Sequence, residues 1–280
     1  RETDLLSPCN TVQRIHAVLL AGGSAFGLDA AGGVMHWLDE RGFGIAVGTA
    51  RVPLVAGAVL FDLLVGDARI RPDAAAGYAA CEAASTEPPA EGCVGAGTGA
   101  VVGKLFGHAR AMKGGIGSAS VRVGGVTVGA LVACNAFGDV LDPRTGRILA
   151  GARTEDGHGL LDTRRAILSG QVAQPILGGN TTIGVVATDA ALDKVQATRL
   201  AQVAHDGLAR SIDPVHTVTD GDALFALATG RMQAHPGMVV LSVMAAEAVA
   251  IATQRAVVAA KGLVLGDLRV PAALELSRTG

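Results

Sequence analysis

The chain has 280 residues, of which 50% are hydrophobic, 17% are charged and 3% are aromatic, and its formal net charge is −2. A chain of this length and hydrophobicity can bury a substantial core. The near-neutral charge and the absence of any run of Lys and Arg exclude the electrostatic footprint of a protein that binds nucleic acid or an anionic membrane surface. We therefore expect no nucleic-acid partner and no membrane partner.

The spacing of cysteines and histidines argues against a disulfide framework or a metal centre. The four cysteines make no C-x-x-C pair and are expected to be buried thiols in a reducing compartment: Cys9, Cys81, Cys93 and Cys134. The seven histidines show no paired metal-ligand spacing. The first residues have neither the basic nor the apolar region of a signal peptide. Together these features predict a cytoplasmic protein that uses no metal and no cofactor.

The first half of the chain predicts alternating strands and helices. In order, we expect a strand at 15–20, a helix at about 27–41, an extended segment at 52–64, a helix at 72–84 and a strand at 126–134. Apolar residues at helical spacing, and a Pro-Asp start before an Ala-rich run, indicate the two helices. The 39 glycines, with so few aromatic residues, indicate close packing and tight turns.

The second half is more sharply patterned. We expect a turn at 139–146, a linker at 147–179, strands at 181–188 and 223–229, and helices at 192–210 and 239–261. The last helix has the length of a membrane span, but Glu247 and Arg255 within it favour a buried helix. Apolar strands mixed with apolar helices predict an α/β fold with helices packed on sheets. The glycine-rich stretch 95–104 satisfies neither a phosphate-loop motif nor a dinucleotide motif.

The stretch 178–189 has the pattern of a self-cleaving nucleophile, because a polar linker ends in a strand whose first residue, Thr181, carries a hydroxyl. The Thr181 hydroxyl could attack the Asn180 carbonyl, after which the freed α-amine, with an ordinary pKa of about 8, would act as a general base. The alternative is a turn followed by threonines that favour a strand. The same residues also match a glycosylation sequon, which we discount because nothing else in the sequence suggests secretion.

The stretch 216–222 places two carboxylates, Asp220 and Asp222, on either side of a glycine. Such a pair can orient an ammonium group or polarise a hydroxyl, and each carboxylate shifts the pKa of the other. The alternative is an ordinary Asp-Gly turn.

These two blocks together resemble the L-aminopeptidase/D-esterase (DmpA-like) family, which includes β-peptidyl aminopeptidases and nylon-oligomer hydrolases. The resemblance runs over nearly the whole chain. It implies stacked αββα layers like those of the N-terminal-nucleophile hydrolases, in a single domain 1–280 that is cut into an α chain, 1–180, and a β chain, 181–280. It also implies a homotetramer of αβ units and a short peptide or amide substrate, with an autocleavage site between Asn180 and Thr181.

The resemblance assigns roles to five residues, which match family positions as follows: Thr181 the nucleophile, Asn135 the oxyanion site, Lys104 a lysine near the nucleophile, and Asp220 and Asp222 the acidic loop. A tyrosine that lines the substrate site in the nylon-oligomer branch is replaced by Phe61, which lacks the phenol hydrogen bond. From the family pattern we expect one or two N-terminal strands of the family to lie outside this sequence.

The sequence thus predicts a self-processing amide hydrolase of the aminopeptidase or amidase type. Two alternatives stay open. One is an acyl transferase like ornithine acetyltransferase, although the Ala-Thr-Met-Leu context of that enzyme is absent at Thr181. The other is an uncleaved ligand-binding homologue without catalytic activity.

Overall fold

The computed structural model describes residues 1–171 and 179–276, and over those residues it contains fifteen β-strands and six α-helices. The strands are β1 Ala17–Ala21, β2 Ile45–Val47, β3 Ala50–Val52, β4 Val55–Val59, β5 Val101–Val102, β6 Met112–Lys113, β7 Gly115–Val123, β8 Val126–Asn135, β9 Asp139–Leu141, β10 Ile148–Ala150, β11 Thr181–Ala190, β12 Ile212–Asp213, β13 Ala223–Met232, β14 Leu263–Leu265 and β15 Leu268–Val270. The helices are α1 Ala30–Glu40, α2 Ala74–Glu82, α3 Thr163–Leu168, α4 Lys194–Ala209, α5 Met238–Val258 and α6 Ala273–Leu276.

The main sheet has the strand order β13-β11-β8-β7. Strands β7 and β8 form a hairpin around Gly124-Gly125, two glycines whose φ angles of 57° and 85° suit the type I′ turn that matches the twist of a hairpin. Strand β11 pairs antiparallel with β8 and parallel with β13. Alternate side chains of β8 and β11, such as Val132 and Val186, enter the large core under α4 and α5.

Helix α5 lies against β7 at very short range because both surfaces are made of small residues. A Cβ atom added at Gly117 would come within 2.2 Å of the Ala252 carbonyl oxygen and 2.4 Å of the Ala256 nitrogen. The helix is long and apolar enough to cross a membrane by length and composition, a test that the core helix of a soluble protein also passes. Here its alanine-rich face forms the core layer beside the main sheet, with Ala252 and Ala256 fully buried.

The opposite face of the main sheet packs on a second layer made by the parallel pair β1 and β4. Leu20 and Ala58 of that pair contact a buried cluster that includes Ala133 and Ile183 of the main sheet. Helices α1 and α2 close the other side, where Val34 and Leu38 pack with Val55. The layers therefore run helix, sheet, sheet, helix, in agreement with the predicted αββα arrangement.

Most predicted elements are present with ends shifted by a few residues. The linker predicted at 147–179 is wrong at Ile148–Ala150 and Thr163–Leu168, where β10 and α3 form, and Ala152 and Ala166 pack with Leu105 and Phe137. Its residues 172–178 lie outside the described part of the chain. The turn predicted at 139–146 begins instead with strand β9, and the extended segment predicted at 52–64 is a strand only over Val55–Val59. The cysteines are also not all buried, since Cys9 is exposed.

The contact between α5 and β7 gives a stability prediction. We expect Gly117→Ala to lower the free energy of unfolding by about 1–3 kcal/mol, because the new methyl group meets helix backbone that can only move as a unit. Gly129→Ala in the neighbouring strand β8 is the matched control, since its Cβ atom would meet only the Ala119 carbonyl oxygen, at 3.7 Å. Urea titrations of both variants give the comparison. Equal stability of the two variants would contradict the close packing.

Candidate active site

Thr181 is the first residue of β11, and the pairing of β11 with β8 sets it directly opposite Asn135. Because side chains alternate along a strand, both residues point to the same side as Ile183 and Ala133, towards the second sheet. Both are buried, Thr181 to 6% exposure and Asn135 to 0%. A nucleophile candidate and an amide donor candidate thus face the space between the two sheets.

The carbonyl oxygen of the peptide bond before Thr181 accepts two hydrogen bonds. The Thr181 hydroxyl donates a hydrogen bond to the carbonyl oxygen of Asn180, and the Gly221 backbone N–H donates to the same oxygen at 3.0 Å. A Cβ atom at residue 221 would lie 3.2 Å from the Thr181 Oγ1 atom, so glycine leaves the approach to this hydroxyl open. The Asn180 carbonyl is therefore polarised by an N–H donor and lies beside a hydroxyl.

Lys104 is positioned by the loop after β5, whose Lys104 N–H donates to the Phe137 carbonyl at 3.0 Å. Its ammonium donates to the carbonyl oxygens of Asn135, at 2.7 Å, and Gly179, at 2.9 Å. Burial lowers the pKa of Lys104 to about 7, and the nearby Asp220 carboxylate opposes part of that shift. The lysine therefore connects the segment just before the predicted cleavage site to Asn135 at the end of β8, opposite Thr181.

Asp222 holds the strand that carries the nucleophile. Its Oδ1 atom accepts a hydrogen bond of 2.6 Å from the Thr182 N–H, and its Oδ2 atom lies 2.8 Å from His216 Nδ1. Burial raises the pKa of Asp222, and the neighbouring Asp220 carboxylate raises it further. Asp222 thus fixes the backbone one residue beyond Thr181.

Asp220 has a different set of partners, which stabilise the loop itself. It accepts hydrogen bonds from the N–H of Phe137 at 3.2 Å, from the N–H of Thr217 at 3.0 Å and from the Thr217 hydroxyl at 2.6 Å. Residues Asn180 and Asp220 also form an isolated parallel bridge. Asp220 therefore ties the acidic loop to the end of β8 and to the predicted cleavage site.

The Asn135 amide joins three parts of the site. Its Oδ1 atom accepts from the Val101 N–H, and its Nδ2 atom donates to the Phe61 carbonyl, both at 2.9 Å. The second N–H of the amide is left for another acceptor. Phe61, predicted as a substrate contact, is half-buried and reaches the site through its backbone carbonyl.

The structure thus brings together all the residues that the sequence singled out, and it adds groups that the sequence reasoning passed over. Lys113 is 1% exposed and donates to the carbonyl oxygens of Gly97, Ala100 and Gly114, which fixes the turn before Val101. His216 was part of the acidic block but received no role. Within residues 1–171 and 179–276, no group of three or more His, Cys, Asp or Glu side chains is placed to hold a metal ion.

The comparisons with known proteins agree with the family resemblance. The chain matches peptidase family S58 over residues 1–265. It belongs to this family. It is 48% identical over 244 residues to an uncharacterized aminopeptidase of Mycobacterium leprae, covering 84% of this chain and 65% of that protein. It is 34% identical over 220 residues to a 6-aminohexanoate-oligomer endohydrolase of Kocuria, covering 78% of this chain and 61% of that protein. The chain therefore spans a little under two thirds of the length of these S58 relatives.

Two solved structures of similar proteins show the same architecture. A β-aminopeptidase of Burkholderia sp. aligns with a TM-score of 0.60 and 29% identity, over 89% of this chain and 71% of that one. The L-aminopeptidase D-Ala-esterase/amidase of Ochrobactrum anthropi, described as a variant of the Ntn hydrolase fold, aligns with a TM-score of 0.63 and 24% identity, over 91% of this chain and 71% of that one. At that identity the second likeness shows the fold alone. The predicted fold class is confirmed.

The burial of Lys104 predicts how stability depends on pH. Because the pKa of about 7 in the folded protein lies below the ordinary value of 10.5, the unfolded chain binds more protons between those pH values. The contribution of Lys104 to the free energy of unfolding therefore grows as the pH rises from 7 towards 10.5, by up to about 1.4 kcal/mol per pH unit.

Urea unfolding at pH 7, 8 and 9 measures this dependence. We expect the wild-type protein to gain stability over this range relative to Lys104→Met, in which the titrating group is gone. Lys261→Met, at an exposed position, is the control and should follow the wild type. Parallel curves for wild type and Lys104→Met would show that Lys104 titrates normally.

Proposed function

We propose that this chain cuts its own Asn180–Thr181 bond and then hydrolyses amide bonds in short peptides or aminoacyl amides, with Thr181 as an N-terminal nucleophile. The observation that carries the proposal is the placement of the Thr181 hydroxyl against the Asn180 carbonyl, whose oxygen also accepts the Gly221 N–H. An ordinary turn requires neither a buried threonine nor a donor aimed at the preceding carbonyl. The family membership supports the same chemistry.

Maturation would proceed as an acyl shift. The Thr181 oxygen attacks the Asn180 carbonyl carbon, and the developing negative charge on the carbonyl oxygen is stabilised by the Gly221 N–H. Collapse breaks the C–N bond and gives an ester between Asn180 and the Thr181 oxygen, while the nitrogen takes up a proton as an α-amine. Water then hydrolyses the ester. The products are a carboxylate at Asn180 and a free amine and hydroxyl at Thr181.

In turnover the freed amine of Thr181 would take the proton from its own hydroxyl as that oxygen attacks the substrate carbonyl. The acyl group is transferred to the Thr181 oxygen, the substrate amine leaves with the proton, and water releases the acid. The second N–H of the Asn135 amide is suited to the oxyanion, and loss of one such donor typically costs about 10² to 10³ in rate. Lys104 adds positive charge close by, held at the Asn135 carbonyl.

The proposal competes with the two alternatives left open by the sequence. An acyl transferase would pass the acyl group from Thr181 to an amine instead of water, so product analysis separates it from a hydrolase. A ligand-binding homologue without catalysis would remain one chain of 28.0 kDa. The names of the relatives, aminopeptidase and 6-aminohexanoate-oligomer endohydrolase, suggest a first substrate panel of aminoacyl p-nitroanilides, D-amino amides, β-peptides and linear amide oligomers.

The first test is self-cleavage. We expect mass spectrometry of the purified protein to find two fragments, and N-terminal sequencing of the smaller one to begin Thr-Thr-Ile-Gly. Thr181→Ala should remain uncut and inactive. Thr182→Val is the matched control, because the Thr182 side chain lies on the other side of the strand beside Cys134 and should not affect cleavage. A fragment that begins at another residue would remove Thr181 from the mechanism.

The second test separates maturation from turnover. Cleavage happens once and tolerates a slow rate, whereas turnover requires Thr181 to be held correctly every time. We therefore expect Asp222→Asn to mature, at a reduced rate, and to lose about 10² or more in kcat/KM, which is about 2.7 kcal/mol of transition-state stabilisation. Asp39→Asn, on an exposed turn of α1, should behave as wild type. Full activity of a properly cut Asp222→Asn protein would contradict a role of Asp222 in turnover and leave it only a role in forming the turn.

A further inference from the structure

Two histidines extend the contacts of Asp222 away from the nucleophile. His216 Nδ1 lies 2.8 Å from Asp222 Oδ2, and His216 Nε2 lies 3.3 Å from His205 Nδ1, with the two ring centroids 4.9 Å apart. The other oxygen of Asp222 accepts the Thr182 N–H at 2.6 Å. A continuous hydrogen-bonded series therefore runs from α4, through the loop, to the residue after Thr181.

The series fixes which nitrogen of His216 carries the proton. An ionised Asp222 can only accept, so His216 Nδ1 must donate to it. The Nε2 atom of a neutral His216 is then an acceptor, and His205 Nδ1 is the nitrogen in place to donate to it. His205 thus selects the tautomer of His216 that suits Asp222.

His216 has a backbone conformation that is unusual for a residue other than glycine. Its φ angle is 54°, in the left-handed region that a residue with a side chain seldom adopts. The side chain is 39% exposed, so burial offers little compensation. Its hydrogen bonds to Asp222 and His205 are the contacts that offset the strain, and such strain is concentrated at functional sites.

Other titratable groups also act on this series, and their positions matter for its pH dependence. Asp220 lies beside Asp222 on the same loop, Lys104 in the loop after β5 and Cys134 on β8 lie near Asp222, and Asp206 lies close to His205 on α4. Burial and Asp220 raise the pKa of Asp222, whereas the Thr182 N–H and His216 lower it. Removal of His216 therefore raises the pKa of Asp222, because burial and Asp220 are then opposed by the Thr182 N–H without the histidine.

We propose that His216, held in one tautomer by His205, is a positioning residue that keeps the Asp222 carboxylate aimed at the Thr182 N–H and thereby holds Thr181 in place during turnover. This inference rests on the proposed function for its kinetic consequence. A protonated Asp222 would still accept the Thr182 N–H through Oδ1, but as a neutral acceptor it would bind the strand end less strongly. The histidine pair thus sets the lower pH limit at which Thr181 is correctly placed.

The kinetic test compares two substitutions of the same residue. His216→Leu removes the donor, and we expect the acidic limb of the kcat/KM profile to move up by about one pH unit, because a carboxylate that loses a hydrogen-bond donor has a higher pKa. His216→Asn keeps an N–H donor near the position of Nδ1 and should restore most of the activity at neutral pH. His36→Leu, at an exposed position on α1, is the control.

His205→Leu tests the outer member of the series and guards against misfolding of His216→Leu. We expect a smaller shift of the acidic limb in the same direction, with normal self-cleavage and an unchanged circular dichroism spectrum. A purely structural role would lower the amount of folded protein without moving the pH profile. Acidic limbs of His216→Leu and His205→Leu that coincide with that of the wild type would overturn the proposal.

A second readout does not depend on activity. In the uncut Thr181→Ala protein, ¹⁵N NMR shifts of the imidazole nitrogens should show His216 protonated at Nδ1, and His205→Leu in the same background should produce a mixture of tautomers. If the wild-type protein hydrolyses no substrate, the proposed function fails, while this measurement still decides the coupling. A His216 protonated at Nε2 and unaffected by His205→Leu would overturn the inference in either case.

Discussion

The site depends first on the register in which β11 pairs with β8. That register places Thr181 opposite Asn135 and points both side chains into the space between the two sheets. Because side chains alternate along a strand, a slip of one residue would turn Thr181 into the helix side of the sheet and present Thr182 in its place. The apolar residues farther along the strand prevent the slip, since Ile183 belongs to one core and Val186 to the other.

Small residues allow the layers to approach closely enough for backbone groups to take part in the site. Gly117 lets α5 lie directly against β7, and Gly221 brings its N–H to the Asn180 carbonyl without crowding the Thr181 hydroxyl. With few large aromatic side chains between them, neighbouring segments of main chain can lie close together. Much of the local polarity at the site comes from backbone N–H and carbonyl groups, which need little reorganisation when charge develops.

Buried charges supply the rest of the electrostatics. The side chains of Lys104 and Asp222 are both buried. Burial lowers the pKa of Lys104 and raises the pKa of Asp222, because it disfavours the charged form of each. The charges tolerate burial because each one is hydrogen-bonded, Lys104 to two carbonyl oxygens and Asp222 to an N–H and an imidazole. In such surroundings the interactions of charges are stronger than in water. A change of charge at Asp220 or Asp222 should therefore affect Thr181.

The sequence was enough to predict the order of the main strands and helices, because their apolar periodicity and turn residues are local signals. It also indicated the Thr181 and Asp220–Asp222 blocks, through hydroxyl and carboxylate residues at a strand start and in a tight loop, and the family resemblance added Lys104 and Asn135. The linker predicted over 147–179 is wrong where β10 and α3 form. These short elements carry weak patterns, and β10 is held by pairing with β9 while Ala166 of α3 packs with Leu105 and Phe137.

Which groups come into contact depends on the tertiary structure. The Gly221 N–H reaches the Asn180 carbonyl, Lys104 bridges two carbonyls from separate segments, and His205 on α4 lines up with His216. These contacts join residues far apart in the chain, and no local pattern encodes them. Strand register, loop conformation and layer packing must all be set before the distances exist. The sequence specifies those features jointly, through the packing of the whole core, and so they can be read only from the folded chain.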